Sequence, residues 1–264
     1  MRRLDAEALQ EACVEEALPW RVQVLDEVGS TSDALRDAAL AGAAPGLVLF
    51  AESQTAGRGR RENRWTSSKG KDFMFSVLLR PAAPAVLWPR LTTLAALALA
   101  RAVEMELPLK PQIKWPNDLY LNDRKICGLL AEAVTVNGEL ALVLGVGMNV
   151  NNREFPYELT GVATSLLLEL NAPSVSALDR QSLALTILKL LHKQFQRMDH
   201  GFHEVIAEVR ARSWLLGRQI RATVDGREVF GRALDLNAEG HLVIVLPDGS
   251  LTTLSSAEGV RQVI

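Results

Sequence analysis

The chain has 264 residues, 48% apolar and 23% charged, with 29 Lys plus Arg against 31 Asp plus Glu and a net charge of −2. That is the balance of a globular protein of one or two domains; it excludes a disordered, collagen-like or disulfide-stapled chain and argues against a dedicated nucleic-acid binder. Cys13 and Cys127 make no disulfide framework, the longest apolar run (residues 94–100) is too short to span a bilayer, and the N-terminus lacks a signal-peptide core. A cytoplasmic protein without membrane contact is expected.

Leu4, Ala8, Cys13 and Leu18 give residues 4–18 one apolar helical face, ended by Pro19. Residues 21–28 alternate as a strand, and a helix follows through Leu40, with Thr31 or Ser32 placed to cap it. Residues 46–51 and 73–79 read as buried strands around a polar, non-periodic stretch at 53–71. A long apolar helix is predicted over 85–105, then short extended segments at 112–115 and 119–121 around Pro116. Strands 124–136 and 139–150 form a hairpin through Asn137-Gly138. Residues 176–214 are helix-rich. Beyond Gly217, two Asp-Gly pairs separate alternating strands at 218–224, 228–236, 241–246 and 250–254, the texture of a small all-β barrel. The organisation predicted is an N-terminal helix (1–20), a main domain (21–216) and a barrel (217–264).

Three stretches carry candidate chemistry. In GRGRRENRWTSSKGK (57–71), Arg58, Arg60, Arg61, Arg64, Lys69 and Lys71 stand against Glu62 alone, in a chain that is otherwise acidic. Glycines let such a backbone approach a ligand and arginine forks bind phosphate or carboxylate, so the stretch reads as a mobile anion-binding loop or as a solvated basic turn. Trp65 is suited to stacking on a flat ligand or to anchoring the core. Lys114, Asn117, Asp118 and Lys125 form a polar cluster between apolar strands, where Asp118 would hold magnesium or orient a lysine, or simply close a turn. Alternation places Lys125 and Cys127 on one face and Gly128 on the other. GVGMNVN (145–151) reads as a strand-end turn whose Asn149 is able to meet a nucleotide. His192, His200, His203 and His241 all follow these stretches, which excludes a Ser-His-Asp triad or a histidine-held metal there; no GxxxxGK[ST] loop occurs.

In order and spacing, Ser30-Thr31-Ser32, Gln54, GRGRRxxxW ending at Trp65, KWPND at 114–118, Lys125-x-x-Gly128 and GxGxN ending at Asn149 resemble the biotin–protein ligase family over residues 21–264. The resemblance implies an α/β (α+β) fold, a mixed-sheet catalytic domain followed by an SH3-like β-barrel. It implies an ATP- and Mg²⁺-dependent enzyme that makes biotinyl-5′-adenylate and passes biotin to a lysine of a biotin carboxyl carrier protein. Position by position, it gives biotin contacts to Ser30, Thr31, Ser32, Gln54, Arg58, Gly59, Arg60, Lys125 and Gly128. ATP contacts fall to Arg58, Arg60, Arg61, Trp65, Lys114, Asn117 and Asn149. Lys125, Arg60, Lys114 and Asp118 would be catalytic, with no resident metal site. Glu62 and Asn63 depart from the glycine and arginine usual in the family loop. Some twenty residues ahead of the first strand leave no room for a winged helix-turn-helix, so specific DNA binding is not expected; the sequence leaves a homodimer open. The competing readings are a lipoate or octanoate ligase of the same fold, against which KWPND and the GRGRR loop argue, and an RNA-binding module. The latter fits poorly with a barrel of five Arg, six acids and Phe230 as its sole aromatic.

Overall fold

The computed structural model describes residues 2–60 and 63–263. Its first sheet holds β1 (Arg21–Leu25), β2 (Leu47–Ala51), β3 (Phe73–Leu79), β4 (Gln112–Lys114), β5 (Asp118–Leu121), β6 (Arg124–Val136) and β7 (Glu139–Met148). The strand order is β1-β2-β3-β7-β6-β5-β4, parallel for β1 and β2 and antiparallel elsewhere. The β6–β7 hairpin turns on Asn137 and Gly138, both at positive φ, as an Asn-Gly turn requires.

Strand alternation assigns the two faces of this sheet. Val48 and Phe50, Phe73, Phe75 and Val77, and Leu142, Leu144 and Val146 share a large core with α3 (Arg90–Glu106) and α5 (Arg180–Phe195). Phe50 and Phe75 lie 4.9 Å apart there, each ring contributing about 1.5–3 kcal/mol of burial. On the opposite face Leu47, Leu49, Leu78, Ala141 and Val143 pack against Leu35 and Ala39 of α2 (Thr31–Leu40). A buried ion pair, Arg180 to Glu52 at 2.7 Å, joins α5 to the end of β2, and Glu52 also accepts from the Leu4 amide at 2.8 Å.

Several boundaries differ from expectation. The first helix, α1, is only Ala6–Glu15: Asp5 caps it, and Ala17 at positive φ ends it before Pro19. The first strand stops at Leu25 rather than 28. The apolar run at 85–105 is split by Pro89 into a short 3₁₀ turn, Ala85–Leu87, and α3. A short helix not foreseen, α4 (Leu166–Leu170), is capped by Ser165. The predicted cap at Thr31 or Ser32 is corrected to Ser30, which holds the N-cap position without a side-chain cap bond.

After α6 (Phe202–Ala211) comes an antiparallel sheet of order β11-β10-β9-β8-β12: β8 (Gln219–Val224), β9 (Arg227–Leu236), β10 (Leu242–Val245), β11 (Leu251–Leu254) and β12 (Glu258–Gln262). The strand β12 lies beyond the last strand expected, which ended at residue 254. Trp115 reaches this second sheet's loops, its indole donating to Gly240 O at 3.0 Å. Among the described residues no helix is long and apolar enough to cross a membrane.

Candidate active site

The face that α2 covers is interrupted. Where alternation would place more Leu or Val, it carries Ser76, Gly145, Gly147 and Gly128, paired across the strands as Ser76 with Gly145 and Gly128 with Gly147. Four small residues in a patch leave a hollow, part of a cleft of about 740 Å³. Neutral polar groups line its inner end. Ser76 Oγ bonds Thr31 Oγ1 at 2.9 Å and Ser32 Oγ at 3.0 Å, and Gln54 Oε1 accepts from the Thr31 amide at 2.7 Å and its hydroxyl at 3.1 Å. Thr31 and Ser32, freed from capping, therefore point their side chains toward the sheet. The glycines are needed for this: a Cβ on Gly145 would meet Ser32 Oγ, and one on Gly147 would run into the Trp65 indole.

Lys125 enters the same hollow by a break in alternation. Leu119 pairs with Cys127 and Tyr120 with Lys125, so Ile126 is an extra residue, a β-bulge. The bulge corrects the expected facing: Lys125 lies on the same side as Gly128, its Nζ 3.0 Å from where a Gly128 Cβ would sit. Asp118 Oδ1 stands 2.7 Å from that ammonium. Cys127 packs in the core; burial pushes its thiol far up, which leaves it inert.

The basic stretch folds back on itself. Gly59 N donates to Asn63 O at 2.7 Å and Trp65 N to Gly57 O at 3.0 Å, making a short arm over the cleft. Arg58 is tied to Asp33 at 3.0 Å and to Glu132, and Arg36 also reaches both carboxylates. Arg60 donates to Asn117 Oδ1 at 3.3 Å, while Asn117 Nδ2 holds Leu129 O at 2.7 Å. Trp65 leans its indole on Gly147 and Gly128 with Lys125 Nζ 5.8 Å from a ring centroid, and its Nε1 is shut off from solvent with no acceptor among the described residues. Arg61 and Glu62 lie outside the described residues.

Lys114 donates to Tyr120 Oη at 2.9 Å and sits over the Tyr120 and Trp214 rings. Burial holds its ammonium below the usual lysine range, with Asp118 opposing that effect and Lys125 adding to it. Asn149 is buried, and its Nδ2 donates to Thr164 O at 3.0 Å. Ser30, Thr31, Ser32, Gln54, Arg58, Gly59, Arg60, Trp65, Lys114, Asn117, Asp118, Lys125, Gly128 and Asn149 all border the one cleft. Sequence reasoning missed Ser76, and it read Gly145 and Gly147 as part of a strand-end turn and of GxGxN rather than as small residues facing the hollow from alternate positions of β7. It also missed Phe155, Leu159 and Val162 at the mouth, and the barrel's contribution of Thr223, Glu258 and Val260.

The profile of the biotin/lipoate A/B protein ligase family matches residues 25–149, and that of the biotin protein ligase C-terminal domain matches residues 215–258. The biotin–[acetyl-CoA-carboxylase] ligase of Mycobacterium tuberculosis is 33% identical over 264 residues, covering 97% of this chain and 95% of that protein. The chain belongs to the biotin protein ligase family. The bifunctional ligase/repressor BirA of Bacillus subtilis is 32% identical over 85% of this chain and 69% of its own length. Among solved structures, the biotin protein ligase of Aquifex aeolicus in complex with biotin and ATP superposes with a TM-score of 0.80 at 27% identity, covering 92% of this chain and 99% of that one. The Leishmania major ligase in complex with biotinyl-5-AMP gives 0.61 at 28%, covering 89% and 98%. This biotin protein ligase thus pairs a mixed seven-stranded catalytic sheet with a five-stranded SH3-like C-terminal domain.

Proposed function

We propose that the cleft joins biotin to ATP and then passes the biotinyl group to a lysine of the acetyl-CoA carboxylase carrier protein. The neutral hollow lined by Ser30, Thr31, Ser32 and Gln54, with Ser76 buried behind them, suits a small, uncharged bicyclic urea, whose N–H and C=O groups need donors and acceptors but no counter-charge. Biotin's carboxylate then projects toward Lys125. On the nucleotide side lie Arg60, Lys114 and Asn117, with the Trp65 indole as a flat cover for adenine. Asn149 and Arg58 act at one remove, Asn149 by holding the Thr164 turn and Arg58 by anchoring the arm to α2 and β6.

A carboxylate oxygen attacks the α-phosphorus, the bond from that phosphorus to the pyrophosphate oxygen breaks, and pyrophosphate leaves. Two anions must meet, and Lys125, aimed by Asp118, is placed between them. Fixed cations directed at charge that develops in the transition state are worth about two to three orders of magnitude in rate. In the second half, the neutral amine of the acceptor lysine attacks the acyl carbon, AMP departs with the anhydride oxygen, and the amine gives up a proton. The arm shields the anhydride from water.

Magnesium, when bound with the nucleotide, offsets phosphate charge. No group of three or more His, Cys, Asp or Glu stands together among the described residues. The donors therefore suit an ion held mainly by phosphates and water, with Asp118 as the protein carboxylate. The divide between the two domains is placed at about residue 216, supported by two sheets that share no strand.

The observation that carries this reading is the convergence of Lys125, Asp118 and Trp65 on one glycine-lined corner. Biotin-dependent ATP–pyrophosphate exchange tests it. Lys125→Ala is expected to lower exchange about a hundredfold with the fold intact. Near wild-type exchange in that variant would remove Lys125 from the chemistry. Exchange driven by lipoate or octanoate instead of biotin would overturn the substrate.

A further inference from the structure

A second cavity, of about 400 Å³, opens at the far end of the same strands. The catalytic cleft lies where β1 and β2 end. This cavity lies where they begin and β3 leaves the sheet, so the five residues of β2 set the two about 17 Å apart. Its volume falls within the range of small-molecule sites, and its walls are mostly apolar, with Trp20, Leu79, Pro81, Phe195 and Met198 among them.

One cation breaks that apolar lining. Arg80, half-buried, borders the cavity, and its Nε is closed off from solvent with no hydrogen-bond acceptor among the described residues. Asp199, at the rim, is exposed and makes no ion pair with it. An unsatisfied buried donor on a charged group is costly, and folded chains seldom keep one without a use for it. A guanidinium beside apolar walls offers two kinds of contact at once: a fork for a carboxylate and a surface that an apolar body would cover. A strongly hydrated inorganic anion would gain nothing from such walls.

We propose that this cavity binds a small amphipathic carboxylate, its acid on Arg80 and its apolar body against Trp20, Phe195 and Met198, independently of biotin and ATP.

Octanoate is a suitable probe, titrated calorimetrically into protein saturated with biotin so that the catalytic cleft is filled. One site is expected, weakened about tenfold or more in Arg80→Gln, with octanamide binding wild type and variant equally weakly. Ala82→Phe, which narrows the cavity from its exposed edge, is expected to weaken octanoate similarly. Biotin-dependent exchange at the wild-type rate in both variants verifies that they are folded. Absence of octanoate heat, its loss on adding biotin, or unchanged affinity in Arg80→Gln or Ala82→Phe would each overturn the proposal.

Discussion

Ser30, Thr31, Ser32 and Ser76 are each at most 6% exposed, and Ser76 bonds Thr31 and Ser32 while Thr31 bonds Gln54, all without a formal charge. The arm above them is held by charges at half-exposed positions: Arg58 by Asp33 and Glu132, Arg60 by Asn117. A neutral buried network has one low-energy arrangement, because any broken bond strands a polar group in the interior. An arm tethered through half-exposed ion pairs has several, since water reaches each pair and competes for it. The floor is thus shaped before a ligand arrives, and the arm takes its final shape with one.

The contrast is most severely strained at Gly147, where floor and arm touch. Gly147→Ala pushes a methyl into the Trp65 indole, a rigid group that cannot swing its tip aside. Overpacking of this kind costs about 1–3 kcal/mol, so adenylate affinity should fall about tenfold or more while biotin affinity changes less. Equal losses for both ligands would mean that the two regions move as one body. Hydrogen exchange sharpens the same point: amides at 57–60 and 63–65 should gain about tenfold protection on binding biotinyl-adenylate, and those at 31–32 little. Ser76→Ala leaves Thr31 and Ser32 short of a shared partner. Each lost bond is worth about 1 kcal/mol, so KM for biotin should rise about fivefold with kcat nearly unchanged.

The smallest effect lies outside both regions, at the buried Asp72. Asp72 accepts from the Val150 amide at 2.9 Å and from Asn152 at 2.5 Å, but burial outweighs these bonds and lifts its carboxyl from 3.8 to about 6. With the folded value raised, the native state binds the extra proton between those two values, so stability rises as pH falls through 6. Relative to Asp72→Asn, wild type should gain about 1 kcal/mol between about pH 7 and pH 5, read from denaturant midpoints. A flat difference would show that the hydrogen bonds win.

Much of this was legible from the chain. The Asn137-Gly138 hairpin and the Asp-Gly turns announce themselves because few other residues adopt their backbone angles. The basic arm stands out by charge, and the hollow's serines and Gln54 by their order with the other motifs. Ser76 stayed hidden, and Gly145 and Gly147 showed only as a motif with no role, because their part is to be small on one face of a buried sheet, visible only once the strands are paired. The mouth residues Phe155, Leu159 and Val162 carry no period, and the facing of Lys125 depends on a single unpaired residue that alternation has no means to count.

That residue gives motif spacing a meaning. In a regular strand, two side chains on the same side are separated by an even step, yet Lys125 and Gly128 are three apart. Ile126 resets the phase between them. Without that bulge, the same three-residue interval would send the ammonium to the wrong side of the sheet. The interval in Lys-x-x-Gly is therefore as much a part of the site as the lysine. A length change at the 137–138 turn, by contrast, should be absorbed at the surface.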